Sequence, residues 1–274
     1  MKDVAFGQYY PTKSFVHNMD ARIKLLSVIA YIVAVFLVKA FNFIGFLACF
    51  TFVVLATVFA RVPFLKVLKS IKAIMFFIIL SAILQIFFNA TGNVVIDFAF
   101  IKITDVGLLN AAYIVVRISL VVLGASLLTF TTSPVELADG IESLLSPLKF
   151  IKFPVHEFAL IMSIALRFIP TLIDETDRII KAQKARGADF ESGNIFKKAK
   201  ALIPVLIPLL ISSFRRADEL ADAMDARCYS GSKNRTKYKK MKLTWRDLIG
   251  TVVIAGLITG VVFINITGFL AVVV

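Results

Sequence analysis

The stretch IKLLSVIAYIVAVFLVKAFNFIGFLACFTFVVLATVFA, residues 23 to 60, is almost unbroken apolar sequence. A membrane-spanning helix takes about 20 residues, so the block is too long for one span and reads as two. These lie at about Ile23 to Phe41 and Phe43 to Ala60, and Lys39 with Asn42 supplies the only plausible turn between them. Three more runs of spanning length follow, at Ile71 to Phe88, Val106 to Phe130 and Leu248 to Val274. The fold expected is an all-α integral membrane protein with about five transmembrane helices. Composition points the same way: 59% hydrophobic side chains, 26 Phe and a mean hydropathy of +0.86 exceed what a water-soluble core can bury. The N-terminus has no short apolar stretch ending in small residues, so the first block is expected to be a span and not a removed leader. Cys49, in an apolar run, and Cys228, in a basic segment, are poorly placed to pair.

The net charge of +13 is unevenly distributed. Twenty of the 31 Lys and Arg fall between Lys149 and Arg246, whereas the opposite side of the expected bundle carries only Lys39 and Lys102. Basic residues stay with the cytoplasmic loops, which places the N-terminus and Thr131 to Asp247 in the cytoplasm and the C-terminus outside, in the cell membrane. The chain thus divides into a four-span N-terminal membrane domain (1–130), a cytoplasmic domain (131–246) and a C-terminal span (247–274).

The cytoplasmic domain is helical by pattern and still strongly apolar. Thr132, Ser133 and Pro134 open a short helix, with Glu136 in capping-box position, and Pro147 closes it. Two long amphipathic helices follow, His156 to Ala185 and Phe196 to Arg227, each apolar in its first half and charged in its second. Both apolar halves are shorter than a span, and Pro204 and Pro208 disturb the second. They read as helices at the membrane interface, or packed on membrane helices, with charged ends projecting into the cytoplasm. Outside the membrane, IDFAFIKIT (96–104) alternates well enough for a small hairpin.

The charged halves repeat. AQKARGADF (182–190) returns 41 positions later in ADAMDARCYSG (221–231), pairing Asp177 with Asp218, Ile179 with Leu220, Ala182 with Ala223, Ala185 with Ala226 and Arg186 with Arg227. Residues seven and four positions before each Arg share its helical face, so each tip carries an apolar, small, cationic stripe. Alanine permits close approach of a partner, and the guanidinium offers a forked donor to carboxylates or carbonyls. A plain helix stop accounts for one Ala-Arg-Gly, since Arg suits the C-terminal dipole and Gly187 the left-handed cap. It does not account for the second copy, which has Cys228 in the glycine's place. On this reading the two arginine tips hang together, as a matched pair, below the bilayer.

Catalytic constellations are not visible. His17 and His156 have no neighbour at metal-ligand spacing, and neither Gly-x-Ser-x-Gly nor Cys-x-x-Cys occurs. GQYYPTKS at Gly7 fails as a phosphate loop, because Thr12 replaces the second glycine and no strand precedes it. Arg117, the one charge well inside a span, is either a structural partner for a bundle hydroxyl or carbonyl or a contact facing another membrane subunit. The run SKNRTKYKKMK (232–242) reads as an anchor on anionic lipid; nucleic-acid binding is excluded for want of a basic platform with stacking aromatics.

Taken together, HNMDARIKLL (17–26), ITDVGL (103–108) leading to Arg117, TSPVELADGIESLLSPL (132–148), ALRFIPTLIDETDRIIKAQKARGADF (165–190), RRADELADAMDARCYSG (215–231) and LTWRDL (243–248) give a chain that resembles, nearly end to end, the transmembrane T component (EcfT) of energy-coupling factor (ECF) transporters, the vitamin and metal importers of prokaryotes. The resemblance implies that Ala185, Arg186 and Gly187 end one coupling helix and Ala226 with Arg227 the other, with Ile179, Ala182, Leu220 and Ala223 on the supporting faces. Each tip would sit in a groove of one subunit of a dimer of ABC-type ATPases (EcfA-like), and the apolar halves would hold a separate substrate-binding membrane S component. ATP and Mg would be bound by the ATPases, and this chain would bind no cofactor and catalyse nothing itself. The rival from another class is a self-contained permease or channel, with Arg117 lining its path and the cytoplasmic region as a regulatory domain.

Overall fold

The computed structural model describes residues 9–39, 42–88, 94–98, 101–151, 154–190, 194–229, 231 and 243–267. The expected all-α architecture is present. In chain order the helices are α1 (Ala21–Leu37), α2 (Phe43–Ala60), α3 (Phe64–Phe88), α4 (Asp105–Thr131), α5 (Pro134–Leu145), α6 (Val155–Ala185), α7 (Ile195–Ala226) and α8 (Trp245–Thr267), with a short 3-10 helix at Ser146–Ile151. One antiparallel hairpin, β1 (Val94–Phe98) with β2 (Ile101–Thr104), interrupts the series where the alternation of 96–104 predicts it; Asp97 stands opposite Lys102. The basic run 232–242 and the final residues 268–274 lie outside the described residues. Contacts divide the described residues into two compact units, one comprising 9–140 with 243–267 and the other 141–231.

Among the described residues, five helices are long and apolar enough to cross a membrane: α2, α3, α4, α6 and α8. The number agrees with the sequence expectation, but the membership differs. Helix α1 has only 17 residues, because Val38 turns extended before the apolar run ends. Helix α6, expected to fall short of a span, runs on through Pro170 for 31 residues and contains an 18-residue window that qualifies.

In the first unit α1 is the central element, packed on α2, α4 and α8. Tyr31, Val35, Cys49, Val53, Leu120, Leu123, Ile254 and Val261 form one buried cluster between these helices. Close approach of α1 to α4 depends on Gly124, where a Cβ would overlap the Tyr31 ring. Tyr31 stacks on Phe52 at 5.4 Å and donates its hydroxyl to the Leu120 carbonyl at 3.3 Å. Helix α3 packs chiefly on α4 and exposes Phe76, Phe77 and Phe88 on its other side.

Polar side chains close the ends of this bundle, since helix termini leave backbone groups that an apolar solvent does not satisfy. At one end Asn265 of α8 knits the turn between α1 and α2, its Nδ2 donating to the Leu37 carbonyl at 2.6 Å and its Oδ1 accepting from Lys39 N and Asn42 Nδ2 at 3.4 Å. Asn42 in turn caps α2 by accepting from Gly45 N. At the other end the buried Lys24 places its Nζ 3.0 Å from the Thr131 carbonyl, the last of α4, and 2.9 Å from that of His17. Asp247, 2% exposed, joins two helix starts: Oδ1 accepts from Asp20 N, where α1 begins, and Oδ2 from Thr244 N, where α8 begins, each at 2.7 Å. The capping box expected for α5 is formed, with Glu136 N donating to Ser133 Oγ and Ser133 N to Glu136 Oε2.

His17 lies just before α1, its Nε2 donating to the Tyr10 carbonyl at 2.9 Å and its Nδ1 accepting from Ser14 Oγ at 2.7 Å. That arrangement uses the neutral ring, and burial pushes the imidazole pKa below its ordinary value. The sign follows: stability from His17 is complete above about pH 6.5, the unfolded value, and is lost as pH falls from there through the lowered folded value. Thermal midpoints in detergent should therefore drop more steeply from about pH 7 to about pH 5 for the wild type than for His17→Gln.

Candidate functional site

The second unit is built on α6 and α7, and each helix follows from its sequence in a different way. Helix α6 starts after Pro154, tolerates Pro170 and keeps a strong apolar stripe. Helix α7 carries Pro204 and Pro208 yet continues through both. A proline removes the bond that its N–H would give to the carbonyl four residues back, so Pro208 leaves the Pro204 carbonyl without its helical donor. Gln183 Nε2 of α6 faces that carbonyl at 3.5 Å, the long limit of a hydrogen bond. The expectation that these prolines disturb the helix is corrected here: α7 is continuous from Ile195 to Ala226, and one of the two carbonyls the prolines free, that of Pro204, is faced by an amide from the neighbouring helix.

Three contacts fix the packing. Gln183 meets Pro204, Glu175 Oε2 accepts from Arg216 Nη2 at 2.9 Å, and the Arg216 guanidinium stands 5.8 Å from the Phe168 ring centre. Positions advance along α6 as they retreat along α7, so the helices cross antiparallel. Glu175 and Arg216 are 41 residues apart, the offset of the repeat itself, so equivalent points of the two copies meet at the crossing.

The two tips match in detail. Arg186 N bonds back to Ala182 and Gln183 carbonyls, Gly187 takes φ +88°, and Ala188 N reaches the Gln183 carbonyl at 3.0 Å. Forty-one residues on, Arg227 N bonds to Met224 O, Cys228 takes φ +56°, and Tyr229 N reaches the Met224 carbonyl at 3.1 Å. Both are left-handed Schellman-type ends. The inference that helix-stopping chemistry is absent from the second copy is therefore corrected: Cys228 performs the glycine's turn, with the Cβ strain an L-residue pays in that conformation. Replacing Cys228 by Gly should raise stability by about 1 kcal/mol, read as a higher thermal midpoint, with the tip unchanged in shape.

Burial along the stripes corresponds as well. Ile179 and Leu220 are half-buried, while Ala182, Ala185, Arg186 and Gly187 are exposed, as are Ala223, Ala226, Arg227 and Cys228. Neither tip guanidinium has a hydrogen bond or ion pair among the described residues. The tips do not hang together, although their sequences match. Gln183 holds the end of α6 at the level of Pro204, and Arg227 lies 23 residues further along α7, about 35 Å of helix away. The cause is the antiparallel crossing, which sends equivalent ends in opposite directions.

A family model described as "Cobalt transport protein" matches residues 12–238. The chain is 48% identical over 252 residues to the "Energy-coupling factor transporter transmembrane protein EcfT" of Clostridium kluyveri, covering 92% of this chain and 93% of that one. Proteins of the same description from Ruminiclostridium cellulolyticum and Bacillus subtilis are 45% and 42% identical over 98% and 94% of this chain, and 100% and 98% of theirs. The chain belongs to the EcfT family. It is a multi-pass membrane protein, as its five apolar helices and these relatives together show.

For this EcfT-family chain the structure places Arg117 within the bundle, away from the arginine tips in sequence and in unit. Its Nη2 donates to the Val38 carbonyl at the end of α1, which also accepts from Tyr113 Oη at 2.9 Å, and its guanidinium lies 4.3 Å from the Tyr113 ring centre. Four residues of consequence escaped the sequence reading: Lys24, Glu175, Gln183 and Asp247. The signal for Glu175 was present, since it stands at the repeat offset from Arg216 with opposite charge. Lys24 and Asp247 have backbone partners 107 and 227 residues away, and nothing local marks them. Among the described residues no group of three or more His, Cys, Asp or Glu could hold a metal ion.

Proposed function

We propose that this chain is the coupling subunit of an ATP-driven ECF importer of vitamins or other micronutrients, carrying the movement of an ATPase dimer to a separate substrate-binding membrane subunit. The observation that carries the reading is the matched pair of exposed arginine ends, Ala185-Arg186-Gly187 and Ala226-Arg227, without side-chain partners among the described residues and set about 35 Å apart on one antiparallel helix pair. Each end would serve one ATPase subunit, one groove each. Ile179, Ala182, Leu220 and Ala223 shape the faces behind them. The first halves of α6 and α7 expose Ile161, Leu206 and Leu210, apolar surface suited to a membrane partner. In this assembly the N-terminus and the arginine ends face the cytoplasm and the C-terminus the exterior. ATP, Mg and hydrolysis belong to the partner subunits, and this chain contributes no catalytic group.

Arg117 speaks against the permease reading, because its guanidinium is committed to the Val38 carbonyl and the Tyr113 ring. Reconstitution separates the two. Liposomes holding this chain alone should show no uptake, and adding ATPases, S component and internal or external ATP as orientation requires should restore it. Uptake by the chain alone would replace the coupling reading with the permease.

A further inference from the structure

Two hollows in the membrane unit meet at Phe15 and Phe59, which line both. One is a groove of about 610 Å³ among α1, α2, α4 and α8, with Val28, Phe52, Ala56 and Val253 in its wall. Its one charged liner, Lys24, has its Nζ turned to the His17 and Thr131 carbonyls. The other is a hollow of about 370 Å³ that carries Lys13, Arg61 and Arg246, with Ser14 and Asn18 beside them and no acidic residue in its lining. Among the described residues none of these three cations has a carboxylate partner; Arg246 rests 6.0 Å from the Phe15 ring centre.

The basic hollow lies at the end of the bundle where α2 stops and α8 starts. Arg61 follows the last residue of α2, Arg246 is the second of α8, and the exposed Trp245 next to it has the character of an interfacial anchor. Arg61 adds a separate observation. It holds φ +54° and ψ +33°, a left-handed conformation that glycine adopts without strain, at a helix end where glycine is the ordinary choice. Strain of this kind collects at binding sites. A glycine there would end α2 equally well and would leave the hollow without its guanidinium.

We propose that the pair of hollows binds one anionic glycerophospholipid, its phosphate head group among Lys13, Arg61 and Arg246 and an acyl chain in the apolar groove. Charge complementarity selects this occupant: three cations without a carboxylate partner among the described residues favour an anionic over a zwitterionic head group, and the adjoining groove, lined almost wholly by apolar side chains, has room for hydrocarbon. Basic pockets beside membrane helices recognise acidic head groups by the same means.

The test uses the full chain, purified in mild detergent with whatever subunits accompany it, exchanged into mixed micelles of phosphatidylglycerol or phosphatidylcholine and weighed by native mass spectrometry. Wild type should retain phosphatidylglycerol in preference to phosphatidylcholine. Arg61→Gly should weaken that retention about fivefold, and the triple change with Lys13→Gln and Arg246→Gln on the order of a hundredfold. Thermal midpoints at or above wild type for Arg61→Gly establish that the helix end is intact. Ala56→Phe, which fills the groove and leaves the cations alone, should lower retention as well. Equal retention of the two lipids, or retention indifferent to the triple change, overturns the proposal. So does displacement by millimolar inorganic phosphate as efficient as by phosphatidylglycerol, which would mark a phosphate site without a role for the acyl chain.

Discussion

Changing Arg186 and Arg227 together to glutamate should leave a folded membrane protein that no longer brings down its ATPases. Both side chains are exposed and lack partners within the described residues, so their removal disturbs nothing internal, and surface changes of this kind usually stay within about 0.5 kcal/mol of wild-type stability. Docked in a groove, each guanidinium would be desolvated against an acidic or carbonyl acceptor, and breaking such a pair costs on the order of 3 to 5 kcal/mol. That corresponds to a loss of affinity from roughly a hundredfold to a few thousandfold for each tip. With the ends about 35 Å apart the two losses should be independent and additive in free energy. Single changes should weaken the complex without abolishing it. Arg→Lys at either end keeps the charge and loses the forked donor, and should fall between. The measurement is recovery of ATPases on affinity-purified chain, with ATP-driven uptake alongside; undiminished recovery and uptake in the double variant would remove the proposed contact.

Asp247→Ala should be the most damaging single change to the membrane unit. The carboxylate is buried and each of its oxygens accepts a short backbone bond, one from the start of α1 and one from the start of α8. Alanine leaves two N–H groups without that acceptor, one on the half-buried Asp20 and one on the exposed Thr244, where water can replace it. With about 1–3 kcal/mol for the buried group and little for the exposed one, the expected cost is about 1–3 kcal/mol. Asp247→Asn makes the sharper comparison: the amide oxygen can keep one bond, while its NH2 turns a donor toward the other N–H. Its loss should lie between wild type and alanine. Monodisperse yield after solubilisation and the thermal midpoint report the effect, and an Asp247→Ala protein as stable as wild type would show that the stitch between α1 and α8 contributes little.

What the sequence revealed and what it hid divide along physical lines. Hydropathy marks where oil begins and ends, so α2 is found at Phe43–Ala60 and α4 at Asp105–Thr131, within a residue of the apolar runs. It does not mark where a helix begins, and α3 starts at Phe64, seven residues before its run, because Lys66, Lys69 and Lys72 continue the same helix. Local chemistry was legible: the Ser133 and Glu136 capping box and the Lys39 to Asn42 turn both appear. Distant pairing was not. That the Pro204 carbonyl has a donor on α6, that Asp247 reaches Asp20, and that the two arginine ends diverge are facts of tertiary packing. Cys228 is the instructive case. Its identity argued against a glycine-like turn, yet the geometry of the chain imposed the turn on it.

The proline pair in α7 gives that helix a place to yield. Pro208 has no N–H to give to the Pro204 carbonyl, so the backbone ladder of α7 lacks a rung there, and the Gln183 amide of α6 faces the open acceptor at 3.5 Å. Bending at that point costs less than in an uninterrupted helix, and a residue at position 183 with no donor would leave the carbonyl to water.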